Sequence, residues 1–255
     1  MLAIIGGTGL TQLSSLDVSH REVARTPYGP PSGALIFGEI CGHPAVFLAR
    51  HGYGHTIPPH EVNYRANIWA LSRVPVDAIV SVASVGGIRP GFEPGDLVIP
   101  DQIIDYTWGR QSTFFDSEGG KVVHVDFTEP YDSALRTRLI DSAAAAGISV
   151  HVGGVCGVMQ GPRLETAAEI NRLERDGADV VGMTGMPEAV LARELDLPYA
   201  AINVVANHAA GRGNSKNAID FAALENVLHG AMQKVRLLIE RLSVSSRTGH
   251  AHRGS

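Results

Sequence analysis

The feature that most limits the fold is the run DAIVSVAS, residues 77–84, which is apolar almost throughout and is followed by the pair Gly86-Gly87. Such a strand has no polar face to turn to water, so it belongs in a sheet covered on both sides. Related runs recur in GDLVIP, ISVHVGGVCGVM, ADVVGMTG and YAAINVVAN, and a short one at residues 2–5 leads into GGTG. Residues 34–40 and 43–49 read as a hairpin turning near Gly42. Segments of helical spacing lie between these runs: 61–72, 132–146, ETAAEINRLERDG, MPEAVLARELD with Pro187 suited to a first turn, and 220–242. Helices alternating with buried strands predict the α/β class, a single domain with a mixed central β-sheet flanked by helices. The domain spans residues 1–243, and residues 244–255 are expected to form a disordered tail. Residues 106–130, with Trp108, Phe114 and Phe115, lack periodicity and read as a long functional loop.

A chain of 255 residues that is 44% hydrophobic can bury the core this fold needs. Its net charge is −5 and it has no block of Lys and Arg, so it lacks the basic stripe a nucleic-acid surface requires. Cys41 and Cys156 are too few for a disulfide framework or a zinc set. No stretch of about 18 apolar residues is present, so no membrane span is expected. The N-terminus MLAIIGGTGL lacks the basic region and cleavage site of a signal peptide. A reducing, cytoplasmic location is the expectation.

The stretch ARHGYGHTIPPHEVNYRANIWAL holds His51, His55 and His60 within ten positions. Metal, acid–base and anion chemistry all use such residues. Gly52, Gly54, Pro58 and Pro59 break any helix that would set two histidines on one face, which argues against a zinc helix. Arg50 at a strand end suits an oxyanion, which a guanidinium holds by a fork of donors. On spacing alone, a glycine-rich surface loop explains the stretch equally well. In GGTG, backbone N–H groups and the Thr8 hydroxyl offer further anion donors, although the same residues form tight turns. Gln12 stands where a dinucleotide fingerprint would have its third glycine. QGPRLETAAEI puts Glu165 near a helix start, where a carboxylate is often only a dipole partner. VVGMTGMPEA ends a strand with Met183 and Thr184, and VVANHAAG ends one with Asn207 and His208. Five strand ends carrying glycine or polar groups together suggest one composite pocket.

In this order, the motifs IIGGTGL, RHGYGHTIPPHEVNYRANIWAL, GPRLETAAEI, VGMTGMPEAVLARE and ANHAAG resemble the trimeric purine nucleoside phosphorylases, over residues 2–242. The nearest branch is that of the methylthioadenosine and methylthioinosine phosphorylases. The resemblance implies a homotrimer that carries out reversible phosphorolysis of a nucleoside. Inorganic phosphate is then a co-substrate, and neither a cofactor nor a metal is needed. It implies phosphate binding by Thr8, Arg50, His51 and Thr184. The family usually has Thr-Ala or Asn-Ala where this chain has Ala83-Ser84, so Ser84 or a backbone N–H stands in for the missing side chain. Met183 is expected against the pentose, and His124 is expected to enter a neighbouring subunit's site.

Two positions bear on the base. Adenine-specific members carry Ser and Asp where this chain has Glu165 and Asn207; oxopurine-specific members carry Glu and Asn. A carboxylate accepts from the N1–H of hypoxanthine, and Asn207 can donate to O6 or accept from a protonated N7. Glu165, Asn207 and His51 are thus the expected catalytic residues. Inosine and guanosine phosphorylases place a histidine near the 5′-hydroxyl where this chain has Leu224, which suits a methylthio group. The combination implies S-methyl-5′-thioinosine, cleaved to hypoxanthine and 5-methylthioribose 1-phosphate in purine salvage. A general inosine/guanosine phosphorylase and a methylthioadenosine phosphorylase are the alternatives.

Overall fold

The computed structural model describes residues 1–116 and 122–245. In chain order the strands are β1 (Leu2–Gly6), β2 (Asp17–Glu22), β3 (Leu35–Ile40), β4 (His43–Ala49), β5 (Ala78–Gly87), β6 (Leu97–Ile99), β7 (Gln102–Asp105), β8 (Val150–Val152), β9 (Val155–Val158), β10 (Val180–Gly182) and β11 (Tyr199–His208). The helices are α1 (Tyr64–Ser72), α2 (Ser133–Ala145), α3 (Ala167–Arg175), α4 (Gly185–Glu194) and α5 (Phe221–Ser245), with a 3-10 turn at Gly213–Ser215. These elements make the expected α/β arrangement, one mixed sheet with helices on both faces.

The apolar run at 77–84 sits at the centre because it has the most to bury. β5 pairs in parallel with β1 and β11 along most of its length, and its Gly86-Gly87 end pairs antiparallel with β10. The sheet therefore branches at β5, with β2-β3-β4-β1 on one side and β10-β9-β7 on the other. Strand alternation turns Val80 and Val82 toward α2 and α5, and Ile79 toward α1 and α4. A smaller cluster packs Ile170 and Leu173 of α3 against Ile88 and Val181. α3 begins with a reciprocal capping box between Thr166 and Glu169.

Two local expectations change, and two strands appear where none was expected. ISVHVGGVCGVM is two strands, not one, because Gly153 and Gly154 take positive φ and break the ladder between β8 and β9. β2 is exposed throughout and shows no apolar alternation; pairing with β3 alone makes it a strand. β7 precedes the long loop and is held beside β9. The last helix runs through Val244 and Ser245, and the remainder of the expected tail lies outside the described residues, as does the 117–121 part of the 106–130 loop. Among the described residues no helix is long and apolar enough to cross a membrane.

Candidate active site

β1, β4, β5 and β11 all run in one direction, so their C-terminal ends open at one edge of the sheet. The C-terminal ends of β9 and β10 reach the same place, and together these ends enclose a cavity of about 800 Å³. Thr8, Arg50, His51, Ser84, Glu165, Met183, Thr184, Asn207 and Leu224 all line it. Tertiary structure thus brings together every site residue expected from the sequence except His124, which is exposed and does not line this chain's cavity.

Part of the cavity lining is rich in hydrogen-bond donors, though not as the sequence suggested. Arg50 is fully buried, and its fork faces Glu188, which is also fully buried. Arg50 Nε donates to Glu188 Oε2 at 2.7 Å and Nη2 to Oε1 at 2.8 Å. Nη2 also donates to Ser81 Oγ at 2.6 Å, and Nη1 to the Val82 carbonyl at 3.0 Å. Of five N–H donors, this leaves one on Nη1 for a ligand. The expected fork onto an oxyanion is therefore corrected: the carboxylate occupies the fork, and Arg50 keeps a single further donor on Nη1. Burial opposes the guanidinium's charge, but the attraction of Glu188 and its hydrogen bonds overcome that and raise the pKa. Gly7 permits the arrangement, because a Cβ there would lie 2.7 Å from Arg50 Nη1 and 2.6 Å from the Val82 carbonyl oxygen.

His51 is 5% exposed. Its Nδ1 lies 2.8 Å from the Ile57 carbonyl, which can only accept, so Nδ1 carries the proton and Nε2 is a bare acceptor. Burial, and then the neighbouring Arg50 charge, push the imidazole down to about 4. His51 is thus neutral at neutral pH. His55, whose role the sequence left open, packs its ring 4.6 Å from that of His51 and sets Nε2 3.5 Å from Thr8 Oγ1. His60 takes no part in this cluster; its Nε2 is 3.8 Å from Glu61. Thr184 sits at the N-cap of α4 without using its hydroxyl as a cap, which leaves that group free to serve a ligand. Thr8, Ser84, Thr184 and one Arg50 N–H make a donor-rich group that suits a tetrahedral oxyanion.

The same lining includes a carboxyl and an amide. Glu165 lies just before the Thr166 cap, and Glu169, not Glu165, makes the capping contacts. Burial, chiefly, raises the Glu165 pKa. Asn207 follows a bulge in β11, where the register against β5 slips between Val205 and Asn207. Such a bulge re-aims the side chain beyond it. Asn207 Nδ2 donates to the His208 carbonyl at 2.6 Å. Met183 also lines the cavity, and Ile219, just before α5, joins Phe221 and Leu224 of its first turn in adding apolar lining. Ile219, Phe221 and Glu188 were not singled out in the sequence. The first two are ordinary apolar residues around a helix start. Glu188 reads as a first-turn helix carboxylate until the fold brings Arg50 against it.

The Phosphorylase superfamily model matches residues 1–242. A Pseudomonas syringae pv. tomato protein named "Probable S-methyl-5'-thioinosine phosphorylase" is 51% identical over 244 residues, covering 96% of this chain and 98% of that protein. A Thermococcus kodakarensis protein named "Probable 6-oxopurine nucleoside phosphorylase" is 44% identical, covering 93% and 90%. Among solved structures, methylthioadenosine phosphorylase from Schistosoma mansoni in complex with adenine superposes with a TM-score of 0.91 at 31% identity, covering 96% of this chain and 91% of that one. With its fold and nearly its whole length in agreement with these relatives, the chain belongs to the phosphorylase superfamily.

Proposed function

We propose that the protein is an S-methyl-5′-thioinosine phosphorylase. The observation that carries this reading is the meeting, in one cavity, of the Glu165–Asn207 pair with the apolar wall of Leu224, Ile219 and Phe221. A carboxyl and an amide match the N1–H, O6 and N7 edge of hypoxanthine, and an apolar wall suits a methylthio group better than a hydroxyl. The name of the Pseudomonas relative points the same way.

In this reading, phosphate occupies the part of the cavity lined by Thr8, Arg50, His51, Ser84 and Thr184. One of its oxygens attacks C1′ as the C1′–N9 bond breaks, and that bond's electron pair moves onto the purine. Asn207 and Glu165 stabilise the leaving base, which takes up a proton at N7 or N9. Donors fixed before the reaction are worth most where charge develops. Met183 packs on the pentose. Neither metal nor cofactor enters the scheme. The working unit is a homotrimer in the cytoplasm, with His124 of each chain completing a neighbour's site.

The test is a substrate panel of methylthioinosine, inosine, guanosine and methylthioadenosine, each with and without phosphate. Methylthioinosine should give the highest kcat/KM, and no base should appear without phosphate. A general 6-oxopurine phosphorylase is the second reading, favoured by the Thermococcus relative and by the shared oxopurine pair. Preference for inosine over methylthioinosine would select it and overturn the first.

A further inference from the structure

Arg110 lies in the loop 106–116 and does not line the cavity, yet its guanidinium touches both peptide segments that carry the nucleoside part of the site. Nη2 donates to the Gln160 carbonyl at 2.8 Å and the Met159 carbonyl at 3.3 Å. Nη1 donates to the Met183 carbonyl at 2.8 Å and the Met186 carbonyl at 2.5 Å. Nε reaches Gln160 Oε1 at 3.2 Å, and the group lies over the Tyr64 ring, 5.4 Å from its centroid. Among the described residues no carboxylate lies within ion-pair distance. A half-buried cation is therefore held chiefly by carbonyl oxygens of the segments that follow β9 and β10, with the Tyr64 hydroxyl accepting from Nη1 at 3.3 Å. The loop is itself anchored: Glu194 at the end of α4 accepts from Thr113 Oγ1 at 2.7 Å and from the Phe114 N–H at 2.8 Å.

The two bridged segments have distinct tasks under the proposed function, on which this inference rests. Gln160 begins the turn that reaches Glu165, on the base side, and Met183 faces the pentose. They approach so closely that a Cβ on Gly161 would lie 2.6 Å from Met183 Sδ. We propose that Arg110 is a positioning residue whose guanidinium clips the base-side segment at Gln160 to the pentose-side segment at Met183, and so sets the nucleoside subsite. A planar fork with donors pointing in divergent directions can span both carbonyls; a single ammonium cannot.

The test is Arg110→Lys and Arg110→Ala, with the KM for phosphate and for methylthioinosine measured separately beside wild type. Both variants should raise the nucleoside KM about tenfold or more, since a misplacement of about 1 Å can lower rates by up to about 10²-fold. The phosphate KM should rise less than the nucleoside KM, because the Met183 carbonyl leads into Thr184 but Thr8, Arg50, His51 and Ser84 make no contact with Arg110. The preference for methylthioinosine over methylthioadenosine should also narrow, because Glu165 is no longer held in register. Guanidinium salt at low concentration, against an equal concentration of sodium chloride, should lower the nucleoside KM of Arg110→Ala. If Arg110→Ala does not fold, the KM split and selectivity of Arg110→Lys decide the matter. An unchanged nucleoside KM, or equal rises for both substrates, overturns the role of Arg110. A wild type that cleaves no nucleoside in phosphate would instead overturn the functional reading itself.

Discussion

Replacing Glu188 by Leu should unsettle this protein more than almost any other single change. Both partners of the Arg50–Glu188 pair are fully buried, so the substitution strands a guanidinium with no water to replace the carboxylate. It also removes the acceptor that Ser81 Oγ and Tyr199 OH each reach at 2.8 Å. Breaking a buried pair from one side costs about 3–5 kcal/mol. For a chain of this size that corresponds to a fall in Tm of roughly 6–20 °C. The double variant Arg50→Met/Glu188→Leu removes the stranded charge and should recover most of the loss. About 1 kcal/mol for each of the two orphaned hydroxyls would remain. Its phosphate KM should stay high, since the further Nη1 donor is gone, while the nucleoside KM changes little. Thermal unfolding of wild type, Glu188→Leu and the double variant at one protein concentration checks the stability claim, and steady-state kinetics checks the second. A Glu188→Leu protein melting within about 2 °C of wild type, less than 1 kcal/mol would cause, would refute the reasoning. So would a double variant no more stable than the single one.

Two further outcomes can be checked. His51 folds as a neutral group with its pKa pushed down to about 4 from 6.5, so the unfolded chain binds more protons between those values. Its contribution to stability is then complete above about pH 6.5, falls as pH drops through that window, and levels off below 4, for a total of up to about 3 kcal/mol. In phosphate-free buffer, His51→Gln should show a shallower acid slope of unfolding free energy than wild type; equal slopes would show that His51 is not the group concerned. Gly161→Ala places a Cβ at a positive φ of 64° and against Met183 Sδ. A loss of about 1–2 kcal/mol is expected, with the nucleoside KM rising more than the phosphate KM; an unchanged nucleoside KM would mean that Met183 relaxes without consequence.

By itself, the sequence determined the class of fold, because strands such as residues 78–85 have no polar face and must be covered by helices on both sides. It also marked most of the wall of the site. Polar groups at the ends of apolar runs, Arg50-His51, Met183-Thr184 and Asn207 among them, each have a bland reading alone and pointed to a site through their recurrence and the family motifs they fall in. Other features were illegible for physical reasons. β2 is strand only through its pairing with β3, since none of its side chains is buried. The bulge before Asn207 is a slip in pairing between two strands and leaves no mark in either one alone. The partners of Arg50 and Arg110 were hidden for the same reason: 138 residues separate Arg50 from Glu188, and 73 separate Arg110 from Met183. Which donors of a guanidinium remain free for a ligand depends on which oxygens the fold brings to the others, so it took the packing of α4 against β4 and β5 to commit the Arg50 fork to a carboxylate and leave one N–H over.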